Sequence, residues 1–232
     1  MSICSIGAFG TKYVHLTPVP STLWILQDTT YLLSIDNIVA DASLPIGNTL
    51  DIKMRQRSGS EQAWVTITQG SPTVVSFTPT NTLAVGQYSV ILESYDNNGG
   101  VFSTLKSDTV TVNVLPAECS QALSQSSTFE TTQPIVVVKE YSPTIYYPEK
   151  LFNGPHTYAG YSCGGTYTQS IAISTPTAGV VLTDQPTGAD LRPKIAVSSS
   201  APTGASFTLT FTGRYVHAPL SIDVTASFTQ TF

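Results

Sequence analysis

The amino-acid sequence predicts an all-β protein built from two tandem antiparallel β-sandwiches. Apolar residues recur at every second position in several short segments, which is typical of strands with one face on a core. Turn sequences separate these segments at intervals of roughly 8–12 residues, as in known sandwiches, and no helical periodicity of useful length competes. Charged residues make up 11% of the chain, against roughly 25% in most soluble domains, so we expect a hydroxyl-rich surface.

Three segments of the first half carry the clearest strand patterns. Residues 88–93 and 109–114 alternate apolar with mostly polar side chains and are expected to be late strands. Residues 52–57 alternate apolar residues with three cations, which we place on a solvated strand face that discourages edge pairing rather than in a binding patch. Trp64 is expected to anchor the core, because tryptophan buries a large apolar area.

The second half repeats this layout, with alternation at residues 207–212 and 220–228. Between the halves, the valine-rich pattern stops at a proline and a polar stretch follows, so a linker is expected within residues 115–127. The sequence therefore predicts a first domain at residues 1–116 and a second at 117–232, each near the usual domain size of roughly 100–150 residues.

An aromatic residue follows a glycine-containing turn at the start of the penultimate strand of each half. Tyr88 follows Gly86, and Phe207 follows Gly204. This placement is typical of the tyrosine corner of immunoglobulin-like sandwiches, in which a tyrosine hydroxyl bonds back to the preceding turn. Only Tyr88 can make that bond, because phenylalanine has no hydroxyl.

The first half also resembles a known family over residues 30–114. The motifs that carry the resemblance are Trp64-Val65, Gly86-Gln87-Tyr88-Ser89-Val90, Ser94-Tyr95-Asp96-Asn97-Asn98-Gly99 and Val110-Thr111-Val112-Asn113-Val114. This stretch is similar to the cadherin-like domains of the dystroglycan type, which are sandwich repeats of cell-surface proteins. The second half shows a weaker similarity to the same domains. The resemblance implies immunoglobulin-like sandwiches with an adhesive or structural role.

The chain departs from calcium-binding cadherins at the junction of the halves. Their paired acidic linker motifs are absent, since only Glu118 lies near Pro116. The turn Asp96-Asn97-Asn98 offers oxygen ligands for calcium, but such a turn forms without any metal, and we favour the plain turn. No metal site is therefore predicted.

The three cysteines are Cys4, Cys119 and Cys163. Cys119 and Cys163 fall in the same predicted domain and are the candidate disulfide in an oxidising compartment. Cys4 is then free or available for an intermolecular bond. Three reduced, buried thiols are the alternative.

Composition and motifs argue against several function classes. A net charge of -5 with ten Lys and Arg predicts no basic surface that could bind nucleic acid. No apolar run approaches the roughly 20 residues that a membrane span needs. His15, His156 and His217 lack ligand spacing, and neither a serine nucleophile elbow nor a phosphate-binding glycine loop occurs. We therefore expect no catalytic residues, no cofactor and no enzymatic activity.

Aromatic residues concentrate in a Tyr- and Pro-rich insertion near residues 141–167. Tyrosines on loops provide rigid contact area for proteins and can stack on sugars. The candidate interaction surface consists of Tyr141, Tyr146, Tyr147, Phe152, Tyr158 and Tyr161. The alternative is a connection that folds over the sandwich and buries its own rings.

These observations favour a structural or adhesive building block of an extracellular assembly, such as a surface filament, an adhesin or a virus particle. The expected partners are further copies or neighbouring subunits, and the expected location is extracellular, at a cell surface or in a virion. The alternative function is a carbohydrate-binding module that uses the Tyr-rich segment to bind a glycan.

Overall fold

The chain is all-β, as predicted, with strands and short 3₁₀ turns as its regular elements in the described residues. A computed structural model describes residues 13–15, 18–36, 38–40, 51–97, 103–126, 140, 151–157, 162–183 and 194–231. The chain divides into two compact units, Met1–Ala117 and Glu118–Phe232.

Nine strands of the described residues belong to the first unit. In chain order they are β1 (Tyr13–His15), β2 (Thr22–Leu26), β3 (Tyr31–Ile35), β4 (Ile38–Ala40), β5 (Ile52–Gln56), β6 (Val65–Thr68), β7 (Thr73–Phe77), β8 (Gly86–Asp96) and β9 (Ser103–Leu115). They form a four-stranded sheet in the order β2-β9-β8-β5, a three-stranded sheet in the order β3-β7-β6, and the pair β1-β4. Strand β2 runs parallel to β9, whereas the other pairs are antiparallel.

The core of the first unit follows the predicted alternation. Residues 88–93 lie in β8, residues 109–114 lie in β9, and Trp64 is buried in the core as expected. Trp64 packs edge-on against the ring of Tyr88, with 5.5 Å between the ring centroids. The buried members of the core are Leu23, Ile25, Ile35, Met54, Trp64, Val65, Val75, Phe77, Val90, Leu92, Val110, Val112 and Val114.

The cations Lys53 and Arg55 on β5, and Arg57 directly after it, alternate along the chain and are paired with acids. Arg55 donates to Glu93 on β8 at 3.2 Å, and Arg57 lies 3.7 Å from the same carboxylate. Glu93 lies opposite Arg55 on the outer face of the sheet, as the alternation predicted, but the neighbouring side chains leave it buried. A carboxylate is stable in this position because two guanidinium groups compensate for its lost hydration. The guanidinium of Arg55 also lies 4.9 Å from the ring centroid of Tyr95.

Strand β5 is an edge strand whose backbone is covered by a side chain. The amide of Gln69 accepts a hydrogen bond from Met54 N–H at 3.0 Å and donates another to the Met54 carbonyl oxygen. The backbone groups of Met54 therefore already have partners. An added strand could not pair with β5 at this residue, which is one way in which proteins protect sheet edges.

Seven strands of the described residues belong to the second unit. In chain order they are β10 (Ser124–Gln125), β11 (Phe152–Asn153), β12 (Thr166–Ile173), β13 (Val180–Thr183), β14 (Lys194–Val197), β15 (Thr208–His217) and β16 (Ile222–Thr231). They form a three-stranded sheet in the order β12-β15-β16 and the pairs β13-β14 and β10-β11, all antiparallel. The fully buried side chains of this core include Leu209, Phe211 and Tyr215.

The last strand starts two residues later than the alternation from residue 220 predicted. Ala218–Leu220 form a 3₁₀ turn, and Ser221 adopts a left-handed conformation with φ 55°. His217 stabilises this turn, because its Nδ1 accepts a hydrogen bond from Leu220 N–H at 3.2 Å. The apolar Leu220 therefore belongs to the turn between β15 and β16.

Cys119 and Cys163 form a disulfide, which confirms the predicted pair. The bond joins the 3₁₀ turn Ala117–Ser120 to the segment that leads into β12, across a sequence separation of 44 residues. Both cysteines are buried. Cys4 lies outside the described residues.

Candidate interaction surface

The outer side of the sheet β12-β15-β16 is covered by hydroxyl side chains. We name this surface the hydroxyl face and define it by Thr166, Thr168, Ser170, Thr208, Thr210, Thr212, Thr225, Ser227, Thr229 and Thr231. These residues alternate along their strands with residues that point into the core of the second unit. Their side chains on the two outer strands are exposed, and those on the central β15 are half-buried.

Strand register arranges these hydroxyls in rows. Thr212 lies opposite Ser170 on one side and Ser227 on the other. In the next row Thr210 lies between Ala172 and Thr229. Neighbouring strands are about 4.8 Å apart and alternate residues of one strand about 7 Å apart, so the face is a regular grid.

Threonine suits a surface of this kind for two physical reasons. Its β-branched side chain is stiff at χ1, so little conformational entropy is lost when a partner binds. Its hydroxyl both donates and accepts hydrogen bonds. One such bond already joins Thr208 and Thr231, whose hydroxyl oxygens lie 3.2 Å apart.

One ion pair lies within the hydroxyl face, where Arg214 on β15 stands between Thr168 and Thr225. Arg214 donates two hydrogen bonds to Asp223, from Nε at 2.9 Å and from a terminal nitrogen at 2.6 Å. The hydrogen bonds from Arg214 lower the pKa of Asp223, and the carboxylate in turn raises the pKa of Arg214. The two charges neutralise each other, so the face as a whole carries no net charge from its described residues.

The core beneath the face depends on a close contact between Gly213 and Phe152. A Cβ added at Gly213 would lie 2.5 Å from Cδ2 of the Phe152 ring. Phe152 is 1% exposed and packs against Phe228, with 5.5 Å between the ring centroids. The ring of Phe152 therefore belongs to the core and offers no contact area to a partner, as the alternative of a self-burying connection predicts.

The other aromatic residues of the predicted interaction surface, Tyr141, Tyr146, Tyr147, Tyr158 and Tyr161, lie outside the described residues. Tyr167, at the end of the same segment, is half-buried. Its ring stacks on His156 at 3.6 Å, and its hydroxyl donates to Oε1 of Gln169 at 2.9 Å. Burial raises the pKa of Tyr167 to about 12.

The predicted plain turn at Asp96-Asn97 is tied to the start of β5. Asn97 donates its side-chain amide to a carboxylate oxygen of Asp51 at 2.9 Å and its backbone N–H to the Asp51 carbonyl at 2.8 Å. The hydrogen bond from Asn97 lowers the pKa of Asp51. Asn98 lies outside the described residues. Within them, no cluster of His, Cys, Asp and Glu is arranged to bind a metal ion.

The hydroxyl face had a signal in the sequence. Threonine occupies alternate positions from Thr208 to Thr212, and hydroxyl residues continue this spacing from Thr225 to Thr231. The sequence did not reveal how β12 pairs with β15. Residues 166–170 join the same face only through this pairing, with a strand more than forty residues away in sequence. In the part of the chain that the structure describes, no helix has the length and apolar character of a membrane span.

No protein-family model matches the chain, and no curated protein matches it significantly. Among solved structures it is similar to an endo-fucoidan hydrolase of glycoside hydrolase family 107, with 12% identity and a TM-score of 0.34. It is also similar to protocadherin gammaB7 (13%, 0.39) and to the human desmocollin-1 ectodomain (12%, 0.43). The alignments cover 97%, 94% and 95% of this chain but 29%, 46% and 41% of those proteins. At these low TM-scores, the similarities assign no activity or partner.

Proposed function

We propose that this chain is a non-enzymatic structural or adhesive building block of an extracellular assembly. The observation that carries the proposal is the hydroxyl face, a regular surface without net charge on a sandwich that contains a disulfide. Filaments, adhesins and virus particles are assemblies in which such sandwiches make repeated contacts, and β-sheet surfaces and edges supply those contacts.

The disulfide supports an extracellular location. Disulfides form and persist in oxidising compartments and are rare where thiols are kept reduced. The bond between Cys119 and Cys163 is buried, with both residues at 2% exposure or less. A cell surface and a virus particle are both compatible with this chemistry.

A protein partner suits the hydroxyl face better than a glycan does. Sugar rings bind by stacking on aromatic side chains as well as by hydrogen bonding, and the hydroxyl face contains no aromatic residue. Hydroxyl groups on a rigid sheet instead match the polar rim and backbone groups of another protein surface. Carbohydrate binding through the Tyr-rich segment is the competing function.

Sedimentation velocity over a concentration series, with and without reductant, tests the proposal. We expect concentration-dependent association that weakens when Ser170→Glu places a charge on the hydroxyl face. Thr66→Glu is the matched control, because Thr66 is an exposed hydroxyl residue on β6 of the other unit. A chain that stays monomeric at every concentration would overturn self-assembly. Glycan-array binding that Tyr146→Ala abolishes would favour the competing function.

We also propose that the two compact units are independently folding domains. Each has its own buried core. Residues 1–117 and 118–232, produced separately, should each unfold cooperatively in urea. Loss of the cooperative transition in either fragment would contradict this organisation.

A further inference from the structure

Two loops rich in serine, threonine and proline meet at one end of the second unit. Residues 174–179 lie between β12 and β13, and residues 198–206 lie between β14 and β15. Ser198 N–H donates to the Gly179 carbonyl oxygen at 2.8 Å, so the two loops are in contact. We name these segments the Ser/Thr/Pro loops. Neither contains a charged residue, so the hydroxyl is the functional group that their side chains offer for covalent chemistry.

Four hydroxyls of the Ser/Thr/Pro loops already take part in hydrogen bonds. Ser174 and Thr177 donate theirs to backbone carbonyl oxygens, at 3.1 Å and 3.0 Å. The hydroxyl oxygens of Ser198 and Ser200 lie 2.6 Å apart and share one bond. Each of these side chains is held against a neighbour, so an enzyme reaches its oxygen only after the bond is broken.

The hydroxyls of Thr175, Ser199 and Thr203 take no part in such bonds within the described residues. All three residues are exposed, and each lies between two exposed neighbours in sequence. Exposed loop positions of this kind are the places where an enzyme can bind a folded chain. These three hydroxyls are therefore accessible to a modifying enzyme without unfolding of the second unit.

Proline keeps these positions outside the sheets. Pro176 follows Thr175, and Pro202 precedes Thr203. Proline has no N–H to donate to a neighbouring strand, and it holds the residue before it in an extended conformation. Segments that combine serine, threonine and proline are typical of O-glycosylated chains. The sequence around the accessible hydroxyls therefore suits the attachment of sugars.

Exposure of a hydroxyl residue is not sufficient by itself. Ser206 is exposed but precedes the buried Phe207, and Thr225 and Thr229 on the hydroxyl face lie between half-buried or buried residues of β16. The backbone of β16 is paired with β15 over its whole length. An enzyme could draw such a segment into its cleft only by breaking the sheet, so the hydroxyl face is expected to stay unmodified.

We propose that Thr175, Ser199 and Thr203 are acceptor sites for O-glycosylation, with a nucleoside diphosphate sugar as the donor. The hydroxyl oxygen attacks the anomeric carbon of the sugar, and the bond between that carbon and the diphosphate breaks. The nucleoside diphosphate leaves with the bonding electrons, and the hydroxyl proton passes to a base of the transferase. This inference rests on the extracellular location in the proposed function, because glycosylation is a modification of surfaces that face outward from the cell.

Glycosylation of the purified, folded chain tests these positions. The full chain is incubated with a polypeptide N-acetylgalactosaminyltransferase and UDP-N-acetylgalactosamine, and mass spectrometry of its peptides gives the occupancy of each serine and threonine. We expect sugar at Thr175, Ser199 and Thr203. The triple variant Thr175→Val, Ser199→Ala, Thr203→Val should lose this sugar with an unchanged unfolding midpoint, because the replaced side chains are exposed and make no hydrogen bond.

Two kinds of control residue separate accessibility from composition. Thr30 and Ser58 are exposed residues of the first unit with exposed neighbours but no adjacent proline. Occupancy at the three proposed positions that is no higher than at Thr30 and Ser58 would overturn the proposal. Thr177 flanks the same proline as Thr175 but donates its hydroxyl to a carbonyl oxygen. We expect it to stay unmodified, and equal occupancy of Thr175 and Thr177 would contradict selection by the fold.

The readouts separate this inference from the proposed function. Glycosylation is measured by mass, and assembly is measured by sedimentation velocity. A chain that associates but accepts no sugar at the three positions would overturn this inference and leave the assembly proposal intact. A chain that accepts the sugars but stays monomeric at every concentration would support the acceptor sites and overturn self-assembly.

Discussion

The hydroxyl of Tyr88 donates a hydrogen bond of 2.6 Å to the carbonyl oxygen of Ala84. The bond ties the start of β8 to the residue four positions earlier in the chain, as in the tyrosine corner of immunoglobulin-like sandwiches. The ring of Tyr88 packs at the same time against Trp64, edge to face, in the core of the first unit. One side chain therefore fixes both the entry of a central strand and the packing around the core tryptophan.

Tyr88→Phe should lower the free energy of unfolding by about 0.5–1.5 kcal/mol, because the ring packing is retained and one hydrogen bond is lost. Urea unfolding followed by tryptophan fluorescence measures this change. Tyr31→Phe is the matched control, since Tyr31 is an exposed tyrosine of the same unit. Equal effects of the two substitutions would show that the hydroxyl of Tyr88 does not stabilise the turn.

The tyrosine corner was predictable because its determinants are local. Gly86 and Tyr88 lie two positions apart at the start of one strand. A tryptophan such as Trp64 is expected in a core because it buries a large apolar area. The burial of Glu93 was not predictable, since it depends on two arginines of a strand that is distant in sequence. The burial of Glu93 follows from which strands pair with each other. The alternation of residues within a single strand does not reveal that pairing.

The same distinction applies to the second unit. The disulfide was predictable from cysteine number and domain membership, which left few pairings. The burial of Phe152 was not, because an aromatic-rich segment with prolines is equally consistent with an exposed loop and with a self-burying one. Gly213, which makes room for the ring, lies about sixty residues later in the chain, and nothing in its local sequence distinguishes it from a loop glycine.

Gly213→Ala should destabilise the second unit. The added Cβ meets three carbon atoms of the Phe152 ring at 2.5–3.0 Å, and the ring is fully enclosed. Overpacking of this kind costs about 1–3 kcal/mol. Thermal or urea unfolding of residues 118–232 measures the loss.

A double-mutant cycle with Phe152→Leu separates the clash from the loss of glycine flexibility. Leucine is smaller than phenylalanine, so Gly213→Ala should cost less in the Phe152→Leu background, by about 1 kcal/mol or more. An identical cost in both backgrounds would mean that the ring of Phe152 does not restrict position 213.

Removal of the disulfide should lower the stability of the second unit. Cys119→Ser with Cys163→Ser releases a loop with a sequence separation of 44 residues, and we expect a loss of about 2–4 kcal/mol. The measurement is urea unfolding of the double variant, with Cys4→Ser as the control for the loss of a thiol. If the double variant were as stable as the control, the bond would add nothing to the stability of the second unit.

Alkaline pH should destabilise the second unit through Tyr167. Burial raises the pKa of this phenol to about 12 in the folded chain, whereas an unfolded tyrosine ionises near a pKa of about 10. Below pH 10 both states keep the proton, so the stability from this group is fully present. Above pH 10 the unfolded chain releases its proton first, and stability falls as the pH rises toward 12.

Urea unfolding of residues 118–232 between pH 9 and about pH 11 measures this dependence. Tyr167→Phe should make the fall in stability with pH shallower, because phenylalanine has no proton to release. The variant also loses the hydrogen bond to Gln169, which lowers stability at all pH values below 10, so the slopes and not the absolute stabilities are compared. An unchanged slope would mean that the phenol of Tyr167 ionises as readily in the folded chain as in the unfolded one.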